Sequence, residues 1–226
     1  MTRPLVGLLV VGKAPRPALL AEFTRVLGDR VELRMLGALD HLDDAGLEAA
    51  RPTGDKDTLF TTLPDGRSIL VSKAVVTRGM EQRLKDLQAL GAKVSIVCCT
   101  GRFPLQAPGV HFASDLIAGA TEGCLPTSSP SRLGVFIPSA AQSQACIDRW
   151  QSETRDCVCL PLSPAADDET VRQAAREMAS LNPDLILHDC ISYTKTSRDI
   201  AAAIHGKPAL QAASVCAHFA AELAAV

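Results

Sequence analysis

Two apolar runs end in the same way, and that pairing constrains this chain more than any other feature. Ser95-Ile96-Val97-Cys98-Cys99-Thr100-Gly101 reads as a buried strand closing on a thiol, a hydroxyl and a glycine. Leu185-Ile186-Leu187-His188-Asp189-Cys190-Ile191-Ser192-Tyr193-Thr194 repeats the layout. Side chains alternate between the faces of a strand, so Cys98 and Cys99 point opposite ways. Cys98 then belongs to the core, and Cys99 looks out of the strand's C-terminal end. Open α/β sheets bind ligands at that end. A glycine there lets the backbone turn and present N–H groups to an anion. Two such endings in one chain suggest two thiols facing one substrate.

Apolar strands alternate with amphipathic stretches along the chain. Val6–Val11 is a first strand, and a helix over Pro17–Leu27 opens on a proline suited to its first turn. The loop between them, Gly12-Lys13-Ala14-Pro15-Arg16-Pro17, joins a strand end to a helix N-terminus. Arg16 there is either a bidentate anion donor or a solvated arginine in a tight turn. Val31–Leu36 is a second strand. Asp-Gly between Thr58–Leu63 and Ser68–Val71 signals a β-hairpin. Val76, Met80, Leu84, Leu87 and Leu90 give the helix Lys73–Leu90 its apolar stripe, and Gly91 stops it. Val94–Cys99 follows as a parallel strand, then a short strand at His111 and Phe112 and a helix near Asp115–Cys124.

The connector Pro126-Thr127-Ser128-Ser129-Pro130 leads to a restart. Arg132–Ile137 mirrors Val6–Val11. A helix over Ala140–Ser152, a strand Val158–Leu160, a helix Asp167–Leu181, the strand Leu185–His188, a helix Thr196–Ile204, a strand Pro208–Gln211 and a helix Ala212–Ala225 complete the pattern. The spacing from Val6 to Cys99 exceeds that from Leu133 to Cys190 by the length of the acidic segment plus hairpin, Ala38–Lys73. Two similar α/β lobes follow. The first takes residues 1–112 with 206–226 and a hairpin insertion at 38–73, the second residues 113–205, with a cleft between them.

Of 226 residues, 47% are hydrophobic and 21% charged, enough to bury a large core, and the net charge is −2. That balance gives no basic surface for nucleic acid or an anionic membrane. Aromatics, at 4%, are too few for a base-stacking platform. No apolar run reaches the ~18 residues of a membrane span, and no small-residue cleavage site follows Val6–Val11. The expected location is cytoplasmic. The eight cysteines then read as thiols rather than a disulfide framework. They include no C-x-x-C pair for a metal site. Cys157 and Cys159 alternate on one face of a short strand, most simply the core face.

Three motifs carry a family resemblance: Val10-Val11-Gly12-Lys13-Ala14-Pro15-Arg16-Pro17, Cys99-Thr100-Gly101-Arg102-Phe103-Pro104 and Asp189-Cys190-Ile191-Ser192-Tyr193-Thr194. In them the chain resembles the AroM family, within the aspartate/glutamate racemase superfamily, over essentially its whole length. The resemblance implies an α/β fold of two pseudo-symmetric lobes, each a mostly parallel sheet flanked by helices. It also implies a small carboxylate held between the lobes. Cys99 and Cys190 match the positions of the superfamily's two facing cysteines. Superfamily racemases usually carry Asn-Thr or Asn-Ser after the first cysteine and Thr after the second. Thr100-Gly101 and Ile191-Ser192 stand here instead.

Inverting a carbon beside a carboxylate needs a base on one face and an acid on the other. A thiol suits both tasks, since its pKa of about 8.5 can be tuned toward neutral. Thr100, Gly101, Ser192 and Thr194 offer donors to the carboxylate, whose charge grows as an enolate forms. Tyr193 donates or walls the pocket, and Arg16 and Lys73 are candidate carboxylate binders. Asp189 assists Cys190, binds a substrate amine, or is a strand-end carboxylate in a surface turn. His188 alternates with it and reads as structural. The expected function is a two-cysteine racemase or epimerase of a small carboxylate, without cofactor or metal, with room for a homodimer. A single-cysteine decarboxylase or cis–trans isomerase is the second reading, and a non-catalytic carboxylate-binding or regulatory protein the third.

Overall fold

The protein is described by a computed structural model covering residues 3–126 and 130–225. Thr127, Ser128 and Ser129 of the expected connector lie outside the described residues. Two compact units are present, Met1–Ser114 with His218–Val226, and Asp115–Ala217.

The first unit is built on a parallel sheet of β1 (Leu5–Val10), β2 (Glu32–Gly37), β5 (Val94–Cys98) and β6 (Val110–Phe112) in the order β2-β1-β5-β6. A helix α1 (Pro17–Leu27) links the first two strands. Between β2 and β5 come α2 (Asp44–Ala49), the antiparallel hairpin β3 (Thr58–Thr62) and β4 (Ser68–Ser72), and α3 (Lys73–Ala89). β1 and β5 are buried along almost their whole length, as central parallel strands covered on both faces must be. Val76, Met80, Leu84 and Leu87 of α3 pack on Leu9 and Val97 of these strands. Gly79 is where α3 comes closest to the chain after β2, and an added Cβ would overlap the Ala38 carbonyl oxygen.

After α4 (Ala113–Cys124), the second unit repeats the plan. Its strands are β7 (Ser131–Ile137), β8 (Arg155–Pro161), β9 (Leu185–His188) and β10 (Ala209–Gln211), all parallel, in the order β10-β9-β7-β8. The helices α5 (Ser143–Trp150), α6 (Asp168–Ser180) and α7 (Lys195–His205) make the crossovers, and α8 (Ala212–Leu223) closes the chain. Phe136, Met178, Ile186 and Tyr193 centre its core.

Counted within its own half, each sheet has the order second-first-third-fourth, so the expected fold class of two similar mostly parallel α/β lobes holds. The hairpin falls inside the expected insertion. One expectation is corrected. The strand near residues 208–211 was placed with the first lobe, but β10 hydrogen-bonds to β9, with Leu210 opposite Leu187. Only the end of α8, from His218, groups with the first unit.

Candidate functional site

In a second-first-third-fourth sheet, the strand order reverses between the first and third strands. Their C-terminal loops diverge there and leave a crevice for a ligand. In the first unit those loops follow β1 and β5, and in the second they follow β7 and β9. Cys99 and Cys190 therefore occupy equivalent places, each just past the third strand of its sheet.

At the first switch point, Cys98 is 2% exposed while Cys99, one residue on, is half-buried. The backbone then turns, and the N–H of Gly101 donates to Cys99 Sγ at 3.4 Å. A donor aimed at sulfur favours the thiolate. Phe103 tucks back into the core, and the Lys73 ammonium lies 6.0 Å from its ring centroid. Lys73, the first residue of α3, is thus beside the cysteine loop. Arg16 caps the neighbouring β1 loop, but its guanidinium donates to the Thr62 carbonyl of the hairpin. It is part-buried rather than solvated. Lys13 donates to the Leu42 carbonyl. Asp40, which the sequence reading passed over, fixes both adjacent strand ends, accepting from Ala14 N–H at 2.8 Å and Gly37 N–H at 2.7 Å. Its signal was an acid three residues past a strand's closing glycine, within reach of a side-chain-to-backbone turn.

At the second switch point, Asp189 is anchored to β7 through its N–H and the Phe136 carbonyl, 3.0 Å. Its carboxylate is 9% exposed, not in a surface turn. It accepts from Trp150 Nε1 at 3.0 Å and pairs with the Arg149 guanidinium at 3.3 Å. Burial pushes its carboxyl above the usual carboxylate range, with Arg149 and Trp150 opposing. Both clamping residues come from α5, some forty positions earlier, and the chain's single tryptophan was the only pointer to them in the sequence. Cys190 follows, half-buried, then exposed Ser192. Tyr193 turns inward, 2% exposed, its hydroxyl donating to the Leu162 carbonyl at 2.6 Å. Burial pushes that phenol up. Its hydroxyl pins the loop to the core and does not face solvent. Thr194 caps α7, its Oγ1 accepting from Ser197 N–H at 3.1 Å, and its hydroxyl proton remains a donor. Cys190 therefore lies one short loop before a helix N-terminus, where partial positive charge gathers.

His188, on the other face of β9, is fully buried between Phe136 and Tyr193. Burial lowers its pKa to about 4, so it is a neutral core residue. Among the described residues, no cluster of three His, Cys, Asp or Glu side chains could hold a metal ion. Nor is any helix long and apolar enough to cross a membrane.

Two like-ordered parallel α/β sheets in one chain are an architecture that solved enzymes share. Unliganded arylmalonate decarboxylase superposes with a TM-score of 0.62 at 15% identity, over 98% of this chain and 92% of that one. Glutamate racemase from Francisella tularensis subsp. tularensis SCHU S4, in complex with D-glutamate, gives 0.58 at 12%, over 99% and 81%. At such identities the likeness is one of fold. None of the curated proteins compared matches the chain. The family model described as AroM protein matches residues 6–224, and the chain belongs to the AroM family.

Proposed function

We propose that this protein is a racemase or epimerase of a small carboxylate, with Cys99 and Cys190 as its two acid–base groups. The observation that carries the reading is their equivalence, each past the third strand of a sheet of the same order. In this reading one sulfur acts on each face of the reacting carbon. One thiolate takes the Cα proton, leaving an enolate, and the opposite thiol returns a proton to the other face. Thr100, Gly101, Ser192 and Thr194 donate to the substrate carboxylate, and Lys73 and Arg16 supply positive charge at its rim. Asp189, held by α5, positions Cys190. The chemistry needs no cofactor.

The unequal surroundings of the two sulfurs favour a second reading, a single-cysteine decarboxylase. Cys99 has a backbone donor on its sulfur, while Cys190 follows a buried carboxylate.

Incubation with small amino, hydroxy and aryl-substituted acids in deuterated water separates the two. Racemisation predicts Cα exchange lost by ~10²–10⁴-fold in both Cys99→Ala and Cys190→Ala. Activity abolished in one variant and kept in the other selects the single-cysteine reaction. Unchanged exchange in both rules out either.

A further inference from the structure

Three cysteines outside the switch-point loops lie along one seam. α5 runs antiparallel to β8, as the crossover from β7 to its parallel neighbour demands. Three contacts set its register. Cys159 Sγ lies 3.7 Å from the Ser143 carbonyl oxygen, the thiols of Cys146 and Cys157 hydrogen-bond to each other, and Arg155 Nε donates to the Trp150 carbonyl. Cys157 and Cys159 share the face of β8 turned to α5, and the larger influence on Cys146 comes from Cys157. The seam is nearly closed, with Cys146 5% and Cys157 6% exposed. Both thiols are free.

The pair is polarised. The S–H of Cys146 donates to Cys157 sulfur, and with help from the nearby Arg155 charge this holds Cys157 below the ordinary thiol value despite its burial. The same bond, with burial, pushes Cys146 up. Of the two, Cys157 is the thiol more easily deprotonated.

We propose that Cys146 and Cys157 are a redox dithiol, which hydrogen peroxide converts to an intramolecular disulfide. Peroxide is neutral and scarcely larger than water, so it suits a seam this tight. Cys157 thiolate attacks one peroxide oxygen and the O–O bond breaks. The departing hydroxide takes a proton and leaves as water, and Cys157 is now a sulfenic acid. Cys146 sulfur then attacks Cys157 sulfur. The S–O bond breaks, its hydroxyl leaves with the Cys146 proton as a second water, and the disulfide forms. Two thiols and one peroxide give one disulfide and two waters. Joining sulfurs that were only hydrogen-bonded draws α5 toward β8, and α5 carries Trp150, the chain's only tryptophan.

The test treats the reduced full-length protein with equimolar peroxide, alkylates remaining thiols, and maps peptides by mass spectrometry without reduction. The expected wild-type map shows a Cys146–Cys157 bridge, two fewer alkylated thiols, reversal by dithiothreitol, and a shift in Trp150 fluorescence that reverses with it. Cys159→Ser keeps the bridge. Cys146→Ser stops at a sulfenic acid on Cys157, trapped by dimedone. A wild-type map in which Cys146 and Cys157 stay alkylated, or bridge to other cysteines, overturns the proposal. That map decides even if a variant fails to fold, and it reads thiols rather than turnover, so it stands apart from the proposed activity.

Discussion

Asp189 sits where an ionised carboxylate is costly, 9% exposed, beside a half-buried thiol. Two donors from α5 make the position tolerable, the Trp150 indole N–H and the Arg149 guanidinium. Removing one leaves a buried acceptor short of a partner, which costs about 1–3 kcal/mol. Trp150→Phe is therefore expected to lower stability by that amount at neutral pH, measured by urea unfolding followed by circular dichroism. The same substitution in the Asp189→Ala background, which has no side-chain acceptor for the indole N–H, separates bond from packing. A smaller loss there assigns the cost to the carboxylate, while an equal loss assigns it to the indole's lost volume. The sequence placed Asp189 beside Cys190 but offered a surface turn as the plain alternative. The clamp was illegible because its two halves are some forty residues apart and meet only when α5 lies along β8. The likeness of the two cysteine endings was readable, because strand-end chemistry is local. The fate of Tyr193 was not, since its carbonyl partner, Leu162, follows a different strand.

At the scale of elements, the helices and strands that bury one clear face were legible to within a few residues. The helix expected over Lys73–Leu90 is Lys73–Ala89, and the hairpin turns at the expected Asp65-Gly66, with Gly66 at φ 89°. β10 was misplaced because three residues after a proline carry no periodicity that names a partner sheet. Gly79 shows what periodicity misses. In a helix sequence it reads only as a weak residue, and Gly79→Ala would gain up to about 1 kcal/mol of helix propensity. In the structure its missing Cβ lets α3 meet the Ala38 carbonyl, which is backbone and cannot rotate aside. Overpacking of this kind costs about 1–3 kcal/mol. The clash outweighs the propensity gain, so Gly79→Ala is expected to destabilise the protein in urea unfolding. A stabilised variant would mean that α3 shifts without cost.

At the scale of the whole molecule, the two units repeat one topology but differ in what they bury. His188 and His205, the two histidines held below their ordinary value, both lie in the second unit. His188 has a folded pKa of about 4 against 6.5 when unfolded. Over that window the unfolded chain binds the extra proton, so stability rises with pH, is fully present above 6.5, and is lost as pH falls toward 4. The shift corresponds to about 3 kcal/mol. Asp189, in the same unit, works in the opposite sense. Its raised carboxyl favours the folded state as pH falls toward the ordinary carboxylate value. Two donors offset its burial, whereas among the described residues His188 has the Leu210 carbonyl at 3.4 Å and no partner on Nε2, so the histidine's loss prevails. Acidification from pH 7 to 5 is therefore expected to weaken the second unit selectively. Hydrogen exchange, corrected for its intrinsic pH dependence, reads this strand by strand. Amides of β7, β9 and β10 should lose protection, while those of β1 and β5 keep theirs. In His188→Gln, which cannot take up a proton, the loss on acidification should shrink. Equal loss in both sheets, or an undiminished loss in His188→Gln, would show that the buried histidine does not set the acid sensitivity of the second unit.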